Sequence, residues 1–104
     1  MTEQWKQVAT LDEIPEGETL RVEIGASALC LYRIESGVFA TDDLCTHGQA
    51  SLADGLIVDG SLIECPLHEG AFDIRTGAPA RPPCKLALTC HAVRVEGQAV
   101  LVEL

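Results

Sequence analysis

Leu20, Val22 and Ile24 alternate with polar neighbours, the period-two pattern of a strand with one buried face. Leu29, Leu31 and Ile34 predict a second strand and Val38–Thr41 a third, with Glu35-Ser36-Gly37 between them as a hairpin turn. Leu62-Ile63 follows an Asp59-Gly60 turn, and Val93 and Val95 face Val100 and Val102 across a turn at Glu96-Gly97-Gln98. Helical pattern is scarce: Asp12-Glu13-Ile14 can make one turn before Pro15 stops it. Short strands joined by glycine-bearing turns predict an all-β chain, an antiparallel sandwich or barrel. Leu44 to Pro83 breaks the pattern, with four of the five prolines and two of the three histidines. Such a block between regular strands predicts a loop-built site on a β scaffold.

The chain has 104 residues, 47% of them hydrophobic, which predicts one globular domain and excludes disorder. Sixteen acidic against seven basic residues leave a formal charge of −9. That charge argues against nucleic acid and against an anionic membrane surface. Trp5, Tyr32, Phe39 and Phe72 are too few and too scattered for a base-stacking platform. The polar start from Met1 to Lys6 lacks the features of a signal peptide, and the longest apolar run, Ala28 to Tyr32, is too short to span a bilayer. A cytoplasmic location is therefore expected, where thiols stay reduced. Five cysteines, an odd number, suit metal ligation better than a disulfide framework.

The chemistry concentrates in two boxes, Cys45-Thr46-His47 and Cys65-Pro66-Leu67-His68. Two thiolates and two imidazoles complete the shell of one tetrahedral metal, or of the two ends of one small cluster. Zinc-finger spacing places two cysteines in one pair and two histidines in the other, so the mixed pairs favour a cluster over a structural zinc in an interaction domain. A nucleophilic Cys–His enzyme would leave the second pair unexplained. No G-x-G-x-x-G fingerprint is present, and His91 is the only histidine outside the boxes, too little for a further iron site.

Cys45-Thr46-His47-Gly48 and Cys65-Pro66-Leu67-His68-Glu69-Gly70-Ala71-Phe72-Asp73 resemble the signature of Rieske [2Fe–2S] proteins. The resemblance runs on through Thr76-Gly77 and the loop of Pro79, Pro82 and Pro83, and the length and strand layout extend it over the whole chain. The nearest group is the ferredoxin component of aromatic-ring-hydroxylating dioxygenases of the naphthalene type. The resemblance implies a Rieske-type all-β fold of one domain, residues 1–104, with an inserted cluster-binding subdomain at about 44–83. It implies one [2Fe–2S] cluster, with Cys45 and Cys65 on one iron and His47 and His68 on the other. It implies a monomeric one-electron carrier, not an enzyme. Its partners would be a flavin-dependent ferredoxin reductase and a terminal Rieske non-haem iron oxygenase of aromatic hydrocarbon catabolism. The rival within the same fold is the Rieske-like small subunit of a larger oxidoreductase such as nitrite reductase.

Departures from the family's high-potential branch carry information. The respiratory members have an additional cysteine in each box, joined as a disulfide; here Ala50 and Leu67 hold those positions. They also place Ser and Tyr hydroxyls near the cluster, where this chain has Gly70 and Phe72. Fewer hydrogen bonds to sulfur predict a potential near the low end of the Rieske range, roughly −150 mV. Outside the boxes, Cys30 reads as core, Cys84 and Cys90 as packed thiols and His91 as a surface residue. Cys90 and His91 are strand neighbours and point to opposite faces. Gly48, Gly55, Gly70 and Gly77 read as turn residues and Trp5 as a cover for one end of the core. The acidic surplus reads either as a solubility charge or, with Glu69 beside His68, as a means of steering docking to basic partners.

Overall fold

The third strand organises the molecule, because both of its faces are covered. A computed structural model describes residues 4–46, 50–66, 70–82 and 84–103. The strands of these residues are β1 (Trp5–Thr10), β2 (Thr19–Ile24), β3 (Ser27–Ile34), β4 (Gly37–Asp42), β5 (Leu56–Val58), β6 (Leu62–Glu64), β7 (Ala71–Asp73), β8 (Pro79–Arg81), β9 (Cys90–His91), β10 (Val93–Glu96) and β11 (Ala99–Glu103). Every named pairing is antiparallel. Three sheets result, with orders β1-β11-β10, β2-β3-β4-β9 and β5-β6-β7-β8.

Alternation along β3 sends Leu29 and Leu31 into one core and Cys30, Tyr32 and Ile34 into another. The apolar run in the sequence is thus a strand buried on both sides. Leu29 and Leu31 pack with Ala9, Ile14, Ala40, Val100 and Val102 against the first sheet. Cys30, Tyr32 and Ile34 pack with Leu52, Ile63, Phe72 and Ile74 on the side of the third sheet.

The predicted register holds at the C-terminal hairpin, where Val93 pairs with Val102 and Val95 with Val100. The turn before Pro15 is a 3-10 segment, Leu11–Glu13, in which the Glu13 carboxylate accepts the Thr10 N–H at 2.8 Å. One expectation needs correction. The block from Leu44 to Pro83 is not loop alone, since β5 to β8 make a four-stranded sheet inside it. Each of these strands has three residues, too few for an alternation to register against the surrounding Gly and Pro.

Two glycines fix how this small sheet sits. A Cβ on Gly55 would lie 2.0 Å from the Glu64 carbonyl oxygen, so close approach to β6 excludes a side chain. Gly77 has φ +79°, donates its N–H to the Asp73 carbonyl at 2.7 Å and accepts the Leu88 N–H at 2.8 Å. It joins the turn after β7 to the segment leading into β9, and a Cβ there would meet the Leu88 oxygen at 2.5 Å.

Candidate metal centre

Cys45 and Cys65 begin two loops built to one plan. The Cys45 N–H donates to the Ala50 carbonyl at 3.0 Å and the Cys65 N–H to the Gly70 carbonyl at 2.7 Å, each five residues further on. Just outside, Leu44 bridges Ser51 and Glu64 pairs with Ala71, each seven residues further on. The two boxes thus begin segments of equal length, each closed by backbone pairing at its base and each opening on a cysteine whose backbone is fixed. Both cysteines are 2% exposed and share the core of Ile63, Phe72 and Leu52. His47 and His68 lie outside the described residues, as do Gly48, Leu67, Glu69 and Pro83.

The base of the first loop is held by a buried carboxylate. Asp43 accepts the Ser51 hydroxyl at 2.6 Å and the Ala53 N–H at 3.0 Å, with the Arg21 guanidinium 3.5 Å away. Its backbone donates to the Ala28 carbonyl and accepts from Leu52. A carboxylate this buried persists because each oxygen is occupied. Asp43 ties the base of the loop to β3 through Ala28. A second tie is made by Thr46, whose hydroxyl donates to the Leu86 carbonyl at 2.7 Å.

Cys84 belongs to the same place. It is 6% exposed and packs in the core that holds Cys45 and Cys65. Burial first, then the neighbouring Cys45 and Cys65 sulfurs, push the Cys84 thiol up to about 11. The sequence reading assigned Cys84 to packing alone. The signal available was its position directly after Pro82-Pro83, in the loop expected to cover the site. Among the described residues no three His, Cys, Asp or Glu side chains are arranged to hold a metal, so Cys84 neighbours the cysteine pair without completing a ligand set.

The remaining candidates take no part in the two loops. Cys30 lies in the core as expected, its thiol pushed up to about 12 by burial. Tyr32, beside it, is raised as well, by burial first and Cys30 second, and its hydroxyl hydrogen-bonds Thr41 Oγ1 at 2.8 Å. Cys90 is exposed, and His91, on the neighbouring position of β9, bonds Asp42 Oδ1 through Nε2 at 2.8 Å. His91 is therefore a paired residue of the sheet edge, not an unattached surface histidine. Trp5 is half-buried on β1, with the Arg94 guanidinium 4.4 Å from its ring centroid.

Two buried thiols on rigid hairpins, sheltered by Phe72 and Ile63, are a fitting donor pair for the sulfur-ligated end of an iron–sulfur cluster. The chain belongs to the Rieske [2Fe–2S] domain family, whose model matches residues 4–98. Its particular type is that of the Rieske ferredoxins, electron-transfer components and not themselves oxygenases. It is 44% identical over 104 residues to the ferredoxin component of the naphthalene 1,2-dioxygenase system of Pseudomonas aeruginosa, covering 100% of this chain and 99% of the relative. It is also similar to the ferredoxin of Sphingomonas yanoikuyae B1, with a TM-score of 0.90 and 37% identity over 97% of this chain and 99% of that one. A third similar structure is the complex of reduced oxygenase and oxidized ferredoxin in carbazole 1,9a-dioxygenase (TM-score 0.88, 42% identity, 95% of this chain and 92% of that one). Likeness to a nitrite reductase small subunit from Mycobacterium tuberculosis, at 19% identity, shows the fold alone. No helix among the described residues is long and apolar enough to cross a membrane.

Proposed function

We propose that this chain is the ferredoxin of a multicomponent aromatic-ring-hydroxylating dioxygenase. It takes one electron at a time from a flavin-dependent ferredoxin reductase and passes it to a terminal Rieske non-haem iron oxygenase. In this reading Cys45 and Cys65 hold one iron, His47 and His68 the other, and residues 44–83 act as the cluster-binding part of a single domain. The observation that carries it is the matched pair of hairpin loops, each opening on a buried, backbone-fixed cysteine. Full-length likeness to dioxygenase ferredoxins supplies the class of partner.

The cluster supplies a one-electron redox site, and its mixed sulfur and nitrogen ligation gives it a higher potential than an all-cysteine cluster. The chain's own residues do the rest. Phe72, Ile63 and Leu52 exclude water from the cysteine end. Thr46 and Asp43 hold the first loop rigid, so little reorganisation accompanies electron transfer. Leu44 and Leu86, 60% and 68% exposed, flank that loop, and isolated apolar side chains on an acidic surface suit a brief, steered encounter. A cytoplasmic location belongs to this reading, since free thiols suit a reducing compartment.

The test is delivery of electrons by the iron-loaded protein from a dioxygenase reductase to its oxygenase, followed by stopped flow. Reduction of the oxygenase at a rate that falls as salt rises is expected, with a midpoint potential of roughly −150 mV. Freshly purified protein that holds no iron or acid-labile sulfide, even after anaerobic reconstitution, would overturn the reading.

A further inference from the structure

Strand β9 ends after two residues, and a groove of about 400 Å³ opens beside it. That volume falls within the range of small-molecule sites, roughly 300–1,000 Å³. β9 covers β4 only opposite Ala40 and Thr41, and on the same side the Asp42 N–H donates to the Thr89 carbonyl. Hydrogen-bonding direction alternates along an antiparallel strand, so the main-chain N–H and C=O of Val38 face this same edge. Beyond His91 the chain has turned off into β10 of the first sheet and leaves that edge open. The walls are apolar. Val38 and Val93 come from the side of the aliphatic core, Phe39 and Ile74 from the side of the cysteine core.

Charge sets this groove apart. The chain has sixteen acidic residues, yet none is among the described residues that line it. Two other grooves are lined by Glu18 and by Asp42. The cation here is Arg75, half-exposed. Its backbone N–H and its Nε both face Asp73 Oδ1, at 2.8 and 3.6 Å. The two terminal guanidinium nitrogens have no partner among the described residues. Asp42, on the same strand edge, is taken up by His91 Nε2 at 2.8 Å.

We infer that this groove binds a small aromatic carboxylate of the benzoate class. A flat ring suits walls that include Phe39. A carboxylate suits the open fork of Arg75, with the Val38 N–H as a further donor on the same edge. One exposed main-chain donor and acceptor is too short an edge to hold an added peptide strand. The net charge of −9 acts at long range against every anion. Selection must therefore come from burial of the ring and the local bond together. None of these residues belongs to either cysteine–histidine box, so the site stands whether or not the cluster reading does.

The test uses the full-length iron-loaded protein and sodium benzoate. Cys90 lines the groove and is exposed while the other four cysteines are buried, so its alkylation by iodoacetamide, read by mass spectrometry, reports occupancy. Benzoate is expected to slow this alkylation several-fold, saturably, and to shift the amide resonances of Val38 and Arg75. Arg75→Gln is expected to raise the half-saturating concentration about tenfold, the worth of one charge-assisted hydrogen bond. In the parent protein, benzamide keeps the ring and loses the charge, and acetate keeps the charge and loses the ring. Each should bind more weakly than benzoate by a similar factor. Either response to benzoate alone supports the site if Arg75→Gln weakens it. Absence of both responses overturns the proposal, and an unchanged affinity in Arg75→Gln places benzoate elsewhere and overturns it too. Equal binding of benzamide would remove the anionic class. Equal binding of acetate would leave a surface arginine that holds any anion, and no built site.

Discussion

The two faces of β3 meet two different kinds of interior. Leu29 and Leu31 enter a core of Ala9, Ile14, Ala40, Val100 and Val102, aliphatic throughout. Cys30 and Tyr32, one residue out of phase, enter a core that also contains Cys45, Cys65, Cys84 and Phe72. The first can be satisfied by volume alone, since its groups ask for no hydrogen bonds. The second contains sulfur and hydroxyl groups that must be paired or kept neutral. One strand therefore serves as a partition, with an aliphatic core on one side and the candidate ligand thiols on the other. The alternation of side chains in a strand is what keeps the two apart at a separation of one residue.

The sharpest way to break this partition is to excavate the aliphatic side. Leu31 is fully buried, and Leu31→Ala is expected to cost about 2–5 kcal/mol in stability. The denaturant midpoint of the iron-loaded protein should fall accordingly, with the reduction potential and iron content unchanged. Ile63→Ala, on the other side, should lower stability and disturb the cluster together. Equal disturbance of the potential by both substitutions would show that the faces are not independent.

A smaller effect distinguishes the sides by pH. Burial holds the Cys30 thiol near 12 in the folded chain, against 9.0 in the ordinary thiol. A raised acid keeps its proton in the folded state while the unfolded state loses its own. The stability this gives is complete below pH 9 and is lost as pH rises from about 9 towards 12. At pH 10 the loss from this one group is about 1.4 kcal/mol. Cys30→Val should flatten this part of the alkaline limb in pH-dependent urea denaturation. Leu31→Ala should shift the whole curve without changing its shape. An alkaline limb identical in the parent and Cys30→Val would remove Cys30 as its source.

How much of this was legible in the sequence follows the same division. The scaffold strands with clean alternation, β2, β10 and β11, could be read from Leu20-Val22-Ile24 and from the valines of the last hairpin. β1 could not, because Trp5 to Thr10 has no alternating apolar set and is recruited by pairing with β11. The cysteine and histidine boxes were legible because their spacing is distinctive, yet the equal hairpins carrying them were not. Strands of three residues borrow their conformation from neighbours, as β6 does from β5 and β7. Cys84 was visible as a residue and invisible as a neighbour. Its place beside Cys45 is set by the path of a proline-bearing loop, and no local pattern encodes that path. His91 likewise gains its partner across a sheet edge, from Asp42, forty-nine positions earlier.

The smallest expected effect tests whether the polar groups of the second core stabilise the fold or merely fit it. Tyr32 and Thr41 share a buried hydroxyl–hydroxyl bond of 2.8 Å, and Thr41 Oγ1 also donates to the Asp42 carbonyl at 2.9 Å. That second bond occupies the Thr41 proton, so the Tyr32 hydroxyl is the donor between the two. Tyr32→Phe removes the donor and leaves Thr41 still bonded to Asp42, so no buried proton donor is orphaned. The loss should be about 1 kcal/mol at neutral pH, the net worth of one such bond. Thr41→Val removes the acceptor instead and strands the tyrosine O–H in the core, which costs more than losing the bond itself. The tyrosine substitution should therefore be the milder of the two when both are measured by urea denaturation at neutral pH. The reverse order would mean that the hydroxyl of Tyr32 finds another partner in this core, the Cys30 thiol being a candidate. The chemistry on that face of β3 would then be a connected network, and no longer a set of separate pairs.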